Sequence, residues 1–126
     1  MTVNVRYIVD DVAKAVAFYR DVLGFTVESE MPPAFADVSR DGVHLLLSGP
    51  ASSAARAMPD GRRPEAGGWA RVQVVVSDIE SEVARLRAAG VRFRNDVIRG
   101  PGGRQVLIDD PSGNAIELFQ PQQLPA

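Results

Sequence analysis

Residues 110–121, DPSGNAIELFQP, place one acid inside an apolar strand. The first four residues are typical of a turn, and the alternation that follows predicts a β-strand. In that strand Ile116 and Leu118 point to one face and Glu117 to the other, because successive side chains lie on opposite sides of a sheet. Glu117 is therefore predicted to lie on a face that carries something other than core.

Composition is that of an ordinary globular protein. The chain has 126 residues, of which 45% are hydrophobic and 24% are charged, and its formal net charge is −2. This length predicts one domain, or two small halves that share a core. The weak acidic balance gives no reason to expect nucleic acid or an anionic membrane as a partner. No apolar stretch approaches the roughly 20 residues of a membrane span, and no export signal is visible at the N-terminus.

The residue types that are missing limit the chemistry. The sequence has no cysteine and a single histidine, His44. This excludes disulfides, thiolate metal sites and a cysteine nucleophile, and the expected location is the reducing cytoplasm. A metal site would need His44 with carboxylates, or carboxylates alone. A triad using Ser48, Ser52 or Ser53 is not predicted, because the spacing indicates no acid that would orient His44.

The same order of elements is predicted twice along the chain. The first half predicts a strand, a helix and three strands, at 3–9, 12–23, 25–30, 35–40 and 43–49. The second half predicts the same order, at 70–76, 79–89, 91–97, 104–110 and 115–120. Asp41-Gly42 predicts a tight hairpin, and Ser77–Glu80 fits a helix capping box. Because two independent stretches agree, the repeat predicts an α+β fold of two βαβββ modules.

The modules are separated by a stretch rich in Gly, Pro, Ser and Ala. We expect module one at 1–48, a linker at 49–68, module two at 69–121 and a tail at 122–126. The linker is either a plain connector or a lid over a ligand site. Its arginines, Arg56, Arg62 and Arg63, are either solvated or placed to clamp an anionic ligand.

Alternation divides each central strand into an apolar face and a mixed face. The apolar sets, expected under the helices together with Phe18 and Tyr19, are Val3, Val5, Tyr7 and Val9; Val43, Leu45 and Leu47; Val72, Val74 and Val76; and Ile116 and Leu118. The mixed sets are Asn4, Arg6 and Ile8; His44, Leu46 and Ser48; Arg71, Gln73 and Val75; and Ala115, Glu117 and Phe119. Their composition favours a half-buried ligand groove, with the solvated side of an antiparallel sheet as the alternative.

Two stretches, IVDDVAKAVAFYRDVLGF (8–25) and DPSGNAIELFQP (110–121), together with the repeated modules, resemble the vicinal oxygen chelate superfamily. This group contains glyoxalase I, bleomycin resistance proteins and extradiol dioxygenases. The resemblance covers residues 3–121 and is more specific to a fold than to an activity. It implies a curved, mixed eight-stranded sheet around a cleft, with the helices on the outer face. It also implies a homodimer in which both subunits often complete each cleft.

In metal-using members of that superfamily, four strand positions converge on one divalent cation. By resemblance these positions fall on Asn4, Leu46, Arg71 and Glu117. Only Glu117 keeps a ligand of the usual kind, since Leu46 has no donor atom and Arg71 is a permanent cation without a lone pair. The set therefore predicts no metal and no other cofactor. It predicts instead an ion pair between Arg71 and Glu117, with Asn4 satisfying spare hydrogen bonds.

The sequence favours a metal-independent binding protein, closest in type to metal-free bleomycin-resistance-like members, that sequesters a small, partly aromatic molecule. The expected cleft residues are Asn4, Arg6, Phe35, His44, Leu46, Ser48, Trp69, Arg71, Gln73, Glu117 and Phe119. Trp69 either stacks on a planar ligand or anchors the core. Two enzymes stay open as alternatives. One is a glyoxalase-like lyase, isomerase or dioxygenase that uses a divalent metal, and the other uses Glu117 or His44 as a metal-free acid or base.

Overall fold

The computed structural model describes residues 1–122 and confirms the α+β fold of two modules. The chain forms two compact units, residues 1–67 with 111–113, and residues 68–110 with those from 114 onward. Of the predicted tail at 122–126, only Gln122 lies within the described residues. No helix in this described part of the chain is long and apolar enough to cross a membrane.

The first module is a four-stranded sheet with one helix. Its strands are β1 (Val5–Ile8), β2 (Thr26–Met31), β3 (Phe35–Arg40) and β4 (Val43–Ser48). Helix α1 (Val12–Ala17) continues into a π-helical turn, Phe18–Val22. The strand order is β1-β4-β3-β2, with β1 parallel to β4 and the other neighbours antiparallel.

The second module repeats this topology. Its strands are β5 (Val72–Val75), β6 (Ile98–Gly100), β7 (Gly103–Asp109) and β8 (Ala115–Pro121), and its helix is α2 (Ile79–Ala88). The order β5-β8-β7-β6 matches that of the first sheet, and β5 is parallel to β8. Between the modules the chain forms a short 3₁₀ turn, Ser53–Ala55.

Turn and cap residues explain where the elements begin and end. Asp41 and Gly42 both have positive φ, 51° and 82°, and they join β3 to β4 in the predicted two-residue hairpin. Asp11 and Asp78 cap α1 and α2 by accepting a backbone N–H from the residue three positions on. The predicted capping box was wrong, because Asp78 rather than Ser77 is the cap and no Glu or Gln follows it at the required spacing.

The predicted strand at 91–97 was also wrong. That segment makes only an isolated bridge, Phe93 to Ile108, and the ladder with β7 begins at Ile98. The side chain of Asn95 accepts the backbone N–H of Leu107 at 2.9 Å. A side-chain amide thus takes the place of a backbone partner, which interrupts regular pairing.

The apolar faces form the core as predicted for most positions. Leu45, Leu47, Ile116 and Leu118 are buried, and Tyr19 packs edge-on against Phe18 and Phe25 with ring centroids 5.3 and 5.4 Å away. The exceptions lie at or near strand ends, where Val3 and Val43 are exposed and Val5, Val72 and Val76 are half-buried. This burial leaves the opposite face of each sheet free to carry polar groups.

Residues 110–114 fix the start of β8. Asn114 donates its backbone N–H to Asp110 Oδ1 at 2.9 Å, and its side-chain amide donates to Oδ2 at 3.0 Å. Both residues are buried, so this local network holds the turn from β7 into the strand that carries Glu117.

A close approach of backbone to backbone requires glycine at the start of β7. Gly103 has φ 150°, and a Cβ added there would clash with the carbonyl oxygen of Gln120. We expect Gly103→Ala to lower the free energy of unfolding by about 2 kcal/mol or more, because two backbones would have to separate. Urea denaturation measures this change. The control is Gly100→Ala, where a Cβ would meet nothing within 4 Å, and equal effects of the two variants would contradict the prediction.

Candidate functional site

The mixed face of the second sheet is centred on Glu117. In the register of the sheet, Glu117 on β8 lies between Gln73 on β5 and Leu107 on β7. Glu117 is only 6% exposed although its side chain is an acid. A carboxylate with so little solvent needs partners from the protein.

The first partner is Arg71, as the sequence predicted. Its Nε and Nη2 atoms both donate to Glu117 Oε1, at 3.0 and 2.9 Å. The third nitrogen, Nη1, donates to the backbone oxygen of Trp69 at 3.3 Å. The Arg71 side chain is 29% exposed, so the pair lies at the boundary between sheet and solvent. Its geometry fixes both the acid and the chain segment before β5.

The second partner is Gln73, which donates its Nε2 amide to Glu117 Oε2 at 2.6 Å. The sequence-based prediction was that Asn4 would satisfy the spare hydrogen bonds of the pair. Gln73 was expected on this face, but its role was missed because alternation places a residue on a face without choosing its partner. Both carboxylate oxygens of Glu117 are therefore engaged within the second module.

The Glu117 triad consists of Glu117 with its two partners, Arg71 and Gln73. Next to it lies a second group, formed by Trp69, Arg94 and Asp109. The Arg94 guanidinium lies 4.7 Å from the ring centroid of Trp69. Arg94 Nε donates to Asp109 Oδ1 at 2.5 Å, and Nη1 donates to the backbone oxygen of Gly68 at 2.8 Å. Trp69 is 69% exposed, which contradicts the alternative in which it anchors the core. Sequence reasoning missed Arg94 and Asp109, since the predicted strand at 91–97 gave no reason to connect them with Trp69.

The next row of the same face carries two apolar side chains. Phe119 on β8 is half-buried and pairs with the exposed Val75 on β5 and with Gln105 on β7. Polar and apolar side chains thus follow one another along β5 and β8, which is the arrangement that small-molecule sites use.

The mixed face of the first sheet carries a different set. Arg6 donates its Nη1 to Ser48 Oγ at 2.8 Å, and Ser48 is fully buried next to Phe35 in the register. Leu46 is half-buried between Arg6 and Asp37. Asn4 is exposed and precedes β1.

The first sheet also supplies an acid for the only histidine. His44 Nδ1 lies 2.8 Å from Asp37 Oδ1, and the two side chains are 38% and 22% exposed. The sequence-based statement that no acid orients His44 was wrong. Asp37 and His44 lie on neighbouring strands and on the same face, one diagonal step apart, which only the hairpin register reveals.

Two cavities are lined by residues other than Arg71, Gln73 and Glu117. The first, of about 370 Å³, lies within the first unit and is lined by Ile8, Val9, Asp10, Pro50, Ala55, Arg63, Pro64, Glu65, Ala66 and Ser112. The second, of about 350 Å³, lies in the second unit and is lined by Arg99, Gly100, Gly103, Arg104, Gln120, Pro121 and Gln122. Linker residues therefore contribute to a concave surface in the first unit.

A sequence model of the glyoxalase/bleomycin resistance protein/dioxygenase superfamily matches residues 3–118. The chain belongs to this superfamily. The uncharacterized protein YaeR of Escherichia coli (strain K12) is 31% identical to this chain, with 93% of each chain covered.

Solved structures of the superfamily fold agree with this assignment. A lactoylglutathione lyase from Agrobacterium tumefaciens is 26% identical with a TM-score of 0.75, over 95% of this chain and 92% of that one. TnmS3, an antibiotic binding protein from Streptomyces sp. CB03234, is 25% identical with a TM-score of 0.69, over 97% of this chain and 98% of that one. The fold is thus shared by an enzyme and by a binding protein, so the side chains must decide the function.

The Arg71–Glu117 pair predicts a specific pattern of stability. Arg71→Met should lower the free energy of unfolding by about 1–3 kcal/mol, because it leaves a buried carboxylate without its counter-ion. Adding Glu117→Met to that variant should recover part of the loss, since no uncompensated charge remains. Urea denaturation of the two single variants and the double variant measures the coupling.

Arg85→Met on α2 is the matched control, because Arg85 pairs with Glu82 on a half-exposed helix surface. That variant should change stability little. A double variant whose loss equals the sum of the single losses would show that Arg71 and Glu117 do not act as a pair.

The Asp37–His44 contact predicts one tautomer of the imidazole. With Asp37 accepting from Nδ1, the neutral ring should carry its proton on Nδ1 and leave the Nε2 lone pair free to accept. Because His44 is the only histidine, ¹⁵N chemical shifts of a histidine-labelled sample at alkaline pH report it directly. Asp37→Ala should move the ring toward the Nε2–H form, whereas Asp96→Ala, at a fully exposed acid, should not. A wild-type ring already in the Nε2–H form would exclude the orientation.

Proposed function

We propose that this protein binds a small, partly aromatic molecule without a metal ion, on the face that carries the Arg71–Glu117 pair. The observation that supports this proposal is the engagement of Glu117 by two guanidinium nitrogens and one amide. A carboxylate that already accepts three charged or polar donors has little capacity left to bind a cation. The same donors give a polar centre that recognises a ligand by hydrogen bonds.

The residues at the four metal-ligand positions do not fit a divalent ion. Leu46 offers no donor atom, Arg71 offers a positive charge and no lone pair, and Asn4 offers at most an amide oxygen. Glu117 is the one carboxylate of the set, and divalent metals in proteins need several oxygen or nitrogen ligands. The proposed function therefore involves no metal-bound step.

Of the two comparison structures, TnmS3 supports a binding role, and the lactoylglutathione lyase leaves an enzymatic role as the alternative. TnmS3 is an antibiotic binding protein and shares the fold over nearly the whole chain. By analogy, this chain would sequester its ligand in a cleft of a homodimer in the cytoplasm. The dimer, the cleft and the location are parts of the proposal.

A second candidate function is proton transfer without a metal. The Asp37–His44 contact favours it, because a base needs an orienting acid on one nitrogen and a free lone pair on the other. Glu117 is the weaker candidate for this task, since both its oxygens accept hydrogen bonds. Loss of turnover in His44→Gln and its retention in Glu117→Gln would support this second function.

Measurements of metal content and of enzymatic activity distinguish the proposed metal-free binding protein from a metalloenzyme. We expect the protein, after chelation by EDTA and dialysis against Ni²⁺, Zn²⁺ or Mn²⁺, to retain substoichiometric metal by mass spectrometry. We also expect no lactoylglutathione lyase activity with any of these ions. Binding of naphthylmethanol, measured by calorimetry, should be the same with and without EDTA. A stoichiometric cation, or a lyase activity that depends on added metal, would overturn the proposal.

A further inference from the structure

Trp69 is exposed to an extent that is uncommon for tryptophan. It is the only tryptophan of the chain and lies just before β5. At 69% exposure, its ring presents a large apolar surface to solvent. Tryptophan is usually largely buried, so an exposed ring that the protein holds in place is a candidate for contact with a ligand.

Two hydrogen bonds to the backbone hold Trp69 in this position. Its backbone oxygen accepts from Arg71, the same guanidinium that binds Glu117. The preceding residue, Gly68, has φ 86°, a conformation that other residues rarely adopt, and its carbonyl accepts from Arg94. The segment that displays the ring is therefore tied to two arginines of the second module, Arg71 and Arg94.

Arg94 covers one face of the Trp69 ring and is itself fixed. Its guanidinium carbon is 4.7 Å from the ring centroid, and its side chain is 18% exposed. Asp109 and the Gly68 carbonyl hold it at 2.5 and 2.8 Å. The guanidinium is therefore held against one face of the ring and is not a mobile surface charge.

A cation on one face changes what the other face will bind. The guanidinium is attracted to the negative π-face of the indole and draws electron density toward itself. The opposite face becomes less negative and hence a poorer partner for a second cation. Stacking of a neutral or anionic planar ring is not penalised in this way.

We propose that Trp69 is a stacking platform for a planar aromatic ligand that is uncharged or anionic, and that Arg94 selects against cationic aromatics. This inference rests on the proposed binding function and names the ligand class that it takes. Arg71, whose guanidinium binds the Trp69 carbonyl, and Gln73 follow the platform along the chain and offer polar contacts to ligand substituents, and the apolar pair of Val75 and Phe119 lies beyond them. Trp69 and Arg94 are the residues that determine specificity.

The test uses the full chain and three probes that share one ring and differ in charge, naphthylmethanol, naphthoate and naphthylmethylammonium. Calorimetry gives their affinities, and the single indole N–H signal of Trp69 in ¹H–¹⁵N spectra reports contact with the ring. We expect the signal to shift with the first two probes, and these to bind roughly three- to tenfold more tightly than the cation. Trp69→Ala should weaken naphthylmethanol roughly tenfold, and Trp69→Phe should weaken it less.

Variants of Arg94 isolate the charge selection. Arg94→Gln should bring the three affinities within about twofold of one another. Because this change removes the guanidinium from Asp109, the double variant Arg94→Gln/Asp109→Asn is measured beside it. Arg85→Gln removes an arginine from α2 in the same module, and it should keep the wild-type preference.

Each contrary result would contradict a specific part of the proposal. Probes that bind without shifting the indole signal, or failure of all three to bind, would overturn the platform, while metal content separately decides the proposed function. Equal affinity of wild type for the cationic and neutral probes would overturn the role of Arg94. An indole signal that moves on dilution of the protein alone would show that Trp69 instead contacts a second copy of the chain.

Discussion

The polar face of the second sheet depends on the ion pair between Arg71 and Glu117. This pair joins the segment before β5 to β8, and through Nη1 it also fixes the backbone at Trp69. One guanidinium therefore satisfies a buried acid and positions an exposed aromatic ring. Without the Arg71 guanidinium, the buried Glu117 carboxylate would lose its counter-ion, and the backbone at Trp69 would lose a hydrogen bond.

The two modules share a topology but differ in the chemistry of equivalent positions. Gln73 pairs with Glu117 in the second sheet where Arg6 pairs with Leu46 in the first. The charged centre thus lies in the second module, whereas the first module carries the Asp37–His44 contact at other positions of its face. A repeated backbone has acquired two different polar faces, as expected when a fold constrains packing more than chemistry.

Much of the fold was predictable because it rests on local patterns. The hairpin at Asp41-Gly42, the apolar faces and the Arg71–Glu117 pair follow from turn chemistry and alternation, with the resemblance supplying the partner strand. The contacts that sequence reasoning missed depend on register or on irregular backbone. Asp37 meets His44 diagonally across a hairpin, and Arg94 reaches Trp69 from the segment where Asn95 interrupts the strand. Periodicity carries no information about either.

The parallel pairing of β5 with β8 also sets when the site forms. Parallel neighbours cannot be joined by a tight turn, and α2, β6 and β7 lie between these two strands in the chain, so we expect their pairing to follow formation of the β7–β8 hairpin. Gln73 and Glu117 are 44 residues apart in the chain, and closing so long a loop is slow compared with forming a hairpin. A partly folded second module therefore holds neither the ion pair nor a fixed Trp69. Recognition of a ligand becomes a property of the completed module, and ligand present during folding stabilises only chains that have made this last closure.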